Sequence, residues 1–312
     1  MRSSLKQFKL LICDLDNTLY DWVAYFVPSF YVMVDKVVEL LGCDQEKLLD
    51  DFREVHQCYH DSEHPFALLE THTVINHFKG WEQSEIAQAL DPAFHAFNSA
   101  RKKHLSLHSG VGQTLEYIRQ RGVRLVAHTD SQLFGVVDRL TRLNLTNVFS
   151  RVYCRERPQS GHPNPKAGRT WLDNFPMHKV HELSKHQLKP DPTVLAEICN
   201  AEVVAPYEAA YVGDSIARDM LMAREANVFS IWAKYGAILH TNDYEKLVRI
   251  THWTQEDVEK ERRLRKEAED IQPDFIAESS FVEILSAIFP NDRIDVSRYL
   301  ETQSVHEQSA AY

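Results

Sequence analysis

The chain lacks an apolar run of about 18 residues, the length that a helix needs to cross a bilayer, so we expect no membrane span. Its first residues lack a long apolar core behind the positive charges, and we expect no signal peptide. It also lacks an excess of basic charge. The formal net charge is −10, which argues against a nucleic-acid polymer as partner but leaves room for a small anionic substrate in a locally positive site.

Cysteine is scarce. The five cysteines lie far apart and form no C-x-x-C pair, a pattern typical of a reduced, cytoplasmic protein. Histidine is abundant, but His56 and His60 lack the glutamate of a zinc-protease motif, so we interpret them as ordinary helix residues. Apolar residues make up 44% of the 312 positions, as in globular proteins, and this length suits two domains. The sequence gives no indication of oligomeric state.

Short apolar runs alternate with helical patterns along most of the chain. The clearest candidate strands are residues 8–14, 123–128, 210–212, 228–232 and 274–276. This alternation predicts an α/β fold with a parallel sheet that is covered by helices on both faces. The prolines and glycines of residues 155–188 predict a long irregular segment there.

Only helical patterns occur between residues 20 and 105. One apolar stripe runs through residues 23–41, Gly42 can end that helix, and Asp44 can cap the next one. Pro28 predicts that the first helix is kinked at this position or begins there. We therefore predict an all-helical module inserted after the first strand.

Carboxylates, a hydroxyl group and a lysine occur where the predicted strands end. Because the carboxyl ends of parallel strands share one edge of a sheet, we expect these side chains to meet in one crevice. Taken singly, each has an ordinary structural explanation, such as a solvated turn acid or a strand-end cap. The residues are Asp14, Asp16 and Thr18 after the first strand, Thr129 and Asp130 after the second, Gly213, Asp214 and Asp219 after the third, and Lys189 before a helix.

The order and strand context of these residues resemble the four motifs of the haloacid dehalogenase (HAD) superfamily. The motifs are Asp14-x-Asp16-x-Thr18, Thr129, Lys189 in Lys-Pro-Asp-Pro, and Gly213-Asp214 with Asp219. The resemblance covers about residues 8–290. It implies a Rossmann-like core formed by residues 1–20 and 105–290, a helical C1 cap at 21–104 and a C-terminal tail at 291–312.

The resemblance implies a phosphatase that acts on a small phosphorylated metabolite. Asp14 would be the nucleophile that forms an aspartyl-phosphate, and Asp16 would protonate the leaving group and then activate water. Thr129, Asp130 and Lys189 would bind the substrate phosphate, and Lys189 would offset negative charge.

The same resemblance implies Mg²⁺ as the cofactor, a cation that prefers oxygen ligands. Its ligands would be the Asp14 carboxylate, the main-chain carbonyl of Asp16 and the Asp214 carboxylate. Asp219 would support the metal site by contacting the ligands of the ion rather than the ion itself.

Two alternatives stay open. Dehalogenases of the superfamily lack a carboxylate at the position of Asp16, so its presence implies a phosphatase, but a sugar phosphomutase would keep it too. A regulatory or binding protein that retained the fold without turnover is the second alternative, because the 155–188 segment and the C-terminal extension exceed what a minimal core needs. Lys166, Lys179 and Lys185 compete for the lysine role, and the helix-start context favours Lys189.

Overall fold

A computed structural model describes residues 8–156, 175–237, 241–295 and 299 of the chain. Within these ranges, seven strands form one parallel sheet, which confirms the predicted α/β class. The strands are β1 Leu10–Cys13, β2 Arg124–Gln132, β3 Arg151–Arg155, β4 Val180–Leu183, β5 Ala209–Gly213, β6 Phe229–Ala233 and β7 Phe275–Ala277. Their order across the sheet is β4-β3-β2-β1-β5-β6-β7.

Strand β1 lies in the middle of the sheet, and all four of its residues are buried. Successive side chains of a strand point to opposite faces. Leu11 and Cys13 accordingly join one apolar cluster, while Leu10 and Ile12 join the cluster on the other face. This double burial explains the continuous apolar run that marks β1 in the sequence.

Seven helices separate β1 from β2, and the first six lie in the predicted helical module. We refer to residues 22–104 as the helical insertion. Its helices are α1 Trp22–Leu41, α2 Gln45–Tyr59, α3 Ala67–Glu70, α4 His72–His77, α5 Gln83–Ala89 and α6 Asp91–His104.

The remaining helices flank the sheet or follow its last strands. They are α7 Val111–Gln120, α8 Leu133–Arg142, α9 Pro192–Ala201, α10 Leu221–Glu225, α11 Thr241–Ile250, α12 Gln255–Glu267 and α13 Ile284–Ile288. A π-helical turn spans Ile216–Met220, and short 3₁₀ turns occur at Met177–Lys179, Pro206–Glu208, Lys234–Ala237 and Phe281–Glu283. Among the described residues, no helix combines the length and apolar content needed to cross a membrane.

The ends of the first two helices follow from their capping residues. Asp21 accepts a backbone hydrogen bond at the start of α1, so this helix begins at Trp22 with Pro28 inside it. Of the two alternatives predicted for Pro28, a helix start there is therefore wrong. Gly42 ends α1 with a φ of 61°, a left-handed conformation that suits glycine. Asp44 caps α2, as predicted.

The sequence patterns missed β3 and β4. Strand β4 lies inside the segment 155–188 that we predicted to be irregular, and this prediction is wrong for Val180–Leu183. The strand is at the edge of the sheet with partly exposed side chains, so it lacks the apolar run of a central strand. Residues 157–174 of that segment lie outside the described residues. Strand β2 continues through Thr129 and Asp130, beyond its predicted end at residue 128.

A segment after β6 joins the helical insertion to the rest of the chain. We refer to residues 246–253 as the strap. Ile250 is fully buried in the apolar cluster of the insertion. The Nδ1–H of His56 donates to the Ile250 carbonyl (2.7 Å), and His252 Nδ1 lies 2.9 Å from Ser62 Oγ. After the strap, α12 returns to the sheet, where Leu264 packs on the cluster below β1 and β5. The division into a core and a cap at residues 21–104 stays a prediction.

Candidate active site

The carboxyl ends of β1, β2 and β5 lie side by side, because β1 pairs with both other strands. Asp14 directly follows β1, and its N–H donates to the carbonyl of Val212 on β5 (2.9 Å). Thr129 lies on β2, and Asp214 directly follows β5. The topology thus brings the predicted site residues of three separate segments to one edge of the sheet.

Asp14 is buried, with 4% of its surface exposed, and both of its carboxylate oxygens have partners. Thr18 Oγ1 donates to Oδ2 (2.8 Å), and Lys189 Nζ donates to Oδ1 (2.5 Å). Burial raises the pKa of Asp14 to about 7, against the opposing charge of Lys189. The ionised form of Asp14 therefore depends on nearby positive charge.

Lys189 is a buried cation between two carboxylates. Its Nζ lies 2.9 Å from Asp219 Oδ1 in addition to its contact with Asp14. Burial opposes the charge of Lys189, but these carboxylates outweigh it and raise its pKa well above the ordinary value. The backbone N–H of Lys189 donates to Asp130 Oδ1 (3.2 Å), so Asp130 holds the lysine segment against β2.

Asp219 is fixed by the turn that follows β5. It accepts from the N–H of Ser215 (2.9 Å) and from the hydroxyl of Tyr211 (3.2 Å). A Cβ atom on Gly213 would lie 2.4 Å from Asp219 Cγ, so only glycine allows the aspartate this close to the strand end. This contact explains the Gly213-Asp214 pair with Asp219 five residues later.

Carboxylate oxygens of Asp14, Asp214 and Asp219 lie within 4.8 Å of one another. Burial, together with the charge of Asp14, raises the pKa of Asp214 well above its usual range. Lys189 is the basic residue that forms ion pairs with this acidic group in the part of the chain that the structure describes. The site combines buried oxygen donors with a net negative charge. This combination suits a hard divalent cation such as Mg²⁺.

The carboxylate of Asp16 is turned towards the end of β2 and is not part of this acidic group. Ser131 Oγ donates to Oδ2 (2.6 Å), and the hydroxyl of Thr129 lies 3.5 Å from the same oxygen. The hydroxyl of Tyr20 donates to Oδ1 (2.7 Å). Arg139 brings a positive charge to this carboxylate, with its Nε 3.4 Å from Oδ1.

The loop that carries both aspartates rests on the segment after β6. Asn17 has a φ of 60°, and its carbonyl contacts Gly236 so closely that a Cβ there would lie 1.9 Å from the oxygen. The hydroxyl of Tyr235 donates to the carbonyl of Thr18 (2.6 Å). The sequence patterns did not identify this support.

All seven predicted site residues lie at this edge of the sheet. Sequence reasoning missed Ser131, Tyr20 and Arg139. The first two lie beside the motifs, so proximity was an available signal, whereas Arg139 carries no local signal at all. The seven are Asp14, Asp16, Thr129, Asp130, Lys189, Asp214 and Asp219.

A family model described as haloacid dehalogenase-like hydrolase matches residues 8–227, more than half of the chain. The chain belongs to this family. A curated phosphoglycolate phosphatase from Nitrosococcus oceani is 25% identical over 235 residues, which cover 74% of this chain and 86% of that protein. Family membership and this relative support the predicted phosphatase enzyme.

The fold of this family member is also found among solved structures. A 2-haloacid dehalogenase from Pseudomonas syringae pv. Tomato DC3000 aligns with a TM-score of 0.54 at 19% identity, covering 91% of this chain and 99% of that chain. At this identity the similarity shows a common fold and nothing about the substrate.

Proposed function

We propose that the chain is a Mg²⁺-dependent phosphatase that hydrolyses a small phosphomonoester through an aspartyl-phosphate on Asp14. One observation carries the proposal. Asp14 contacts Lys189 inside a buried acidic group, while a second carboxylate, Asp16, is held beside it by partners of its own.

The first half-reaction transfers the phosphoryl group to the protein. A carboxylate oxygen of Asp14 attacks phosphorus, the Asp–phosphate bond forms, and the bond to the substrate alcohol breaks. Asp16 gives its proton to the departing alkoxide. Thr129 and Lys189 donate hydrogen bonds to phosphate oxygens and stabilise the charge that they carry.

The second half-reaction restores the enzyme. The Asp16 carboxylate takes a proton from water, the water oxygen attacks phosphorus, and the bond to Asp14 breaks to release inorganic phosphate. Asp16 is then protonated again, so the cycle closes without another acid.

The acidic group is the proposed metal site. The Asp14 and Asp214 carboxylates and the main-chain carbonyl of Asp16 would hold Mg²⁺, with Asp219 supporting the site while it fixes Lys189. When bound, the ion supplies positive charge that neutralises the phosphate and the nucleophile.

Two features favour phosphoester hydrolysis over the dehalogenation catalysed by the structural relative. Halide leaves without a proton, so a dehalogenase needs no acid at the position of Asp16. The curated relative is a phosphoglycolate phosphatase, which supports a small phosphorylated metabolite as substrate. We also propose that the helical insertion is a cap that closes over this site, which favours small substrates over phosphoproteins.

The test is phosphate release from a panel of phosphorylated metabolites, with Mg²⁺ and with EDTA. Asp14→Asn should lower the rate by about 10³-fold or more, because it removes the nucleophile. Asp35→Asn, the same change at an exposed helix position, is the matched control and should retain activity. Release that persists in EDTA or in the Asp14→Asn variant would contradict the proposal.

Product analysis separates the alternatives that share this site. Isomerised sugar phosphate without free phosphate would indicate a phosphomutase. A folded wild-type protein that binds phosphorylated compounds but releases phosphate from none of them would indicate a binding or regulatory role.

A further inference from the structure

We propose that Tyr20 and Arg139 are positioning residues for Asp16, and that Glu63 of the helical insertion completes their arrangement when the insertion covers the site. This inference rests on the proposed function, because it assigns these residues to the proton transfer by Asp16.

Tyr20 and Arg139 form a short chain of hydrogen bonds that ends on Asp16. The Nε–H of Arg139 donates to the Tyr20 oxygen (2.9 Å), and the Tyr20 hydroxyl donates to Asp16 Oδ1 (2.7 Å). Because the phenol oxygen already accepts from Arg139, its own hydrogen is directed at the carboxylate. Both side chains are fully buried, so water does not compete for these bonds.

The other oxygen of Asp16 is held from the opposite side. Ser131 Oγ donates to Oδ2 at 2.6 Å. With a short hydrogen bond to each oxygen, the orientation of the carboxylate plane is fixed. A general acid must be oriented in this way, since misplacement by about 1 Å is enough to cost roughly 100-fold in rate.

Arg139 connects this arrangement to the helical insertion. Its Nη1 lies 2.7 Å from both carboxylate oxygens of Glu63, in the connection between α2 and α3. Arg139 itself belongs to α8, beside the sheet. One buried guanidinium is therefore shared by Glu63 and Asp16, and it has both partners only while the insertion lies over the site.

A neighbouring ion pair offers a matched control. Asp138, the residue before Arg139, lies 2.5 Å from Arg101 of α6, and both side chains are largely buried. This pair also joins α8 to the helical insertion. Asp16 is not among the partners that the structure shows for it.

The test compares two substrates with different leaving groups. An alkyl phosphate needs a proton on its leaving oxygen, whereas p-nitrophenyl phosphate releases a stable phenolate without one. The quantity compared is kcat/KM, which reports the transfer of the phosphoryl group to Asp14 and not the later hydrolysis, in which Asp16 acts as a base for both substrates. Tyr20→Phe and Arg139→Gln should lower kcat/KM for the alkyl phosphate by about 100-fold, the size of a general-acid contribution. Their kcat/KM for p-nitrophenyl phosphate should fall by less than about 3-fold.

Two further variants refine the test. Glu63→Gln should give a smaller loss of the same kind, and Arg139→Lys, which keeps the charge, should restore part of the alkyl-phosphate rate. Tyr20→Phe keeps the inference testable if Arg139→Gln does not fold. Asp138→Asn should affect both substrates equally.

Equal losses for the two substrates in Tyr20→Phe would overturn the inference, and so would a leaving-group-dependent loss in Asp138→Asn. Wild-type protein that hydrolyses neither substrate would overturn the proposed function, and the inference with it. Wild-type hydrolysis combined with equal losses overturns the inference alone.

Discussion

Two of the contact regions between the helical insertion and the rest of the molecule, which we call seams, are built from different interactions. The charged seam consists of the Arg139–Glu63 and Arg101–Asp138 ion pairs at α8. The strap seam consists of residues 246–253 against α1, α2 and Ser62. Its central contact is the fully buried Ile250, and its buried hydrogen bonds join uncharged groups.

The two seams differ in their contribution, because one serves mainly stability and the other serves the chemistry of the site. Buried ion pairs contribute little net stability, because desolvation offsets their attraction, although losing one partner is costly. Apolar burial stabilises directly, by about 25 cal/mol per Å². We therefore expect the strap seam to contribute most of the stability with which the insertion is attached to the rest of the molecule. In the charged seam, Arg139 lies beside Asp16, where a fixed charge orients a reacting group.

The largest effect on stability is expected from breaking the charged seam on one side. Asp138→Asn should lower the free energy of unfolding by about 3–5 kcal/mol, because Arg101 and Arg142 lose a buried carboxylate. Urea unfolding of the variant and the wild type measures the difference. Glu116→Gln, which breaks an exposed pair with Arg119, is the control and should leave stability almost unchanged. Equal losses of unfolding free energy in Asp138→Asn and Glu116→Gln would contradict the expected difference between buried and exposed ion pairs.

A somewhat smaller effect is expected in the strap seam. Ile250→Ala should cost about 2–4 kcal/mol through lost apolar contacts and the cavity left behind. Phosphate release per folded molecule should stay within about 3-fold of wild type, because Ile250 lies in the apolar cluster away from Asp16. The control is Val248→Ala, at a position of α11 that is 46% exposed. A selective loss with alkyl phosphates in Ile250→Ala would contradict the separation of the two seams.

The strap seam should also weaken in acid. Burial lowers the pKa of His56 to about 4 and that of His252 to about 4, so both are uncharged in the folded state. Unfolded histidine titrates near 6.5, so the unfolded chain binds more protons between about pH 6.5 and 4 and stability falls across that range.

Replacing one of these histidines should reduce the acid sensitivity. The unfolding free energy of the wild type should fall between pH 7 and pH 4.5. In His56→Gln this fall should be smaller by on the order of 2 kcal/mol. Denaturation at the two pH values measures it, with His95→Gln, at an exposed position of α6, as the control. An unchanged pH dependence in His56→Gln would show that His56 is not the acid-sensitive group.

The smallest effect is expected at the exposed rim of the strap seam. Arg249 pairs with Glu46 and Asp50, whose side chains are largely solvent-exposed. Arg249→Ala should therefore cost less than about 1 kcal/mol, and less still at high salt. Thermal unfolding at low and high ionic strength checks this. A loss as large as that of Ile250→Ala would mean that charge, and not apolar burial, holds the strap.

The candidate site was predictable because its residues occur in short motifs at strand ends. Asp14, Asp16 and Thr18 are close in sequence, and the parallel sheet brings the more distant Thr129 and Lys189 to the same edge. The central strands were predictable for a similar reason, since burial on both faces demands continuous apolar runs.

The two seams were not predictable, because their partners are far apart in sequence and share no pattern. Arg139 and Glu63 are separated by 76 positions, and His56 and Ile250 by 194. Strand β4 was missed for another reason. As an edge strand with exposed side chains it lacks the apolar run by which a strand is recognised.

The strap has a consequence for how the chain folds during synthesis. The insertion helices leave the ribosome early, yet Ile250, which completes their interior, follows only after β1 to β6 have been translated. The insertion therefore cannot finish folding as an independent N-terminal unit, although early segments of a chain commonly fold first. The interior of the insertion is therefore complete only after residue 250 has been synthesised, when six of the seven strands are already available.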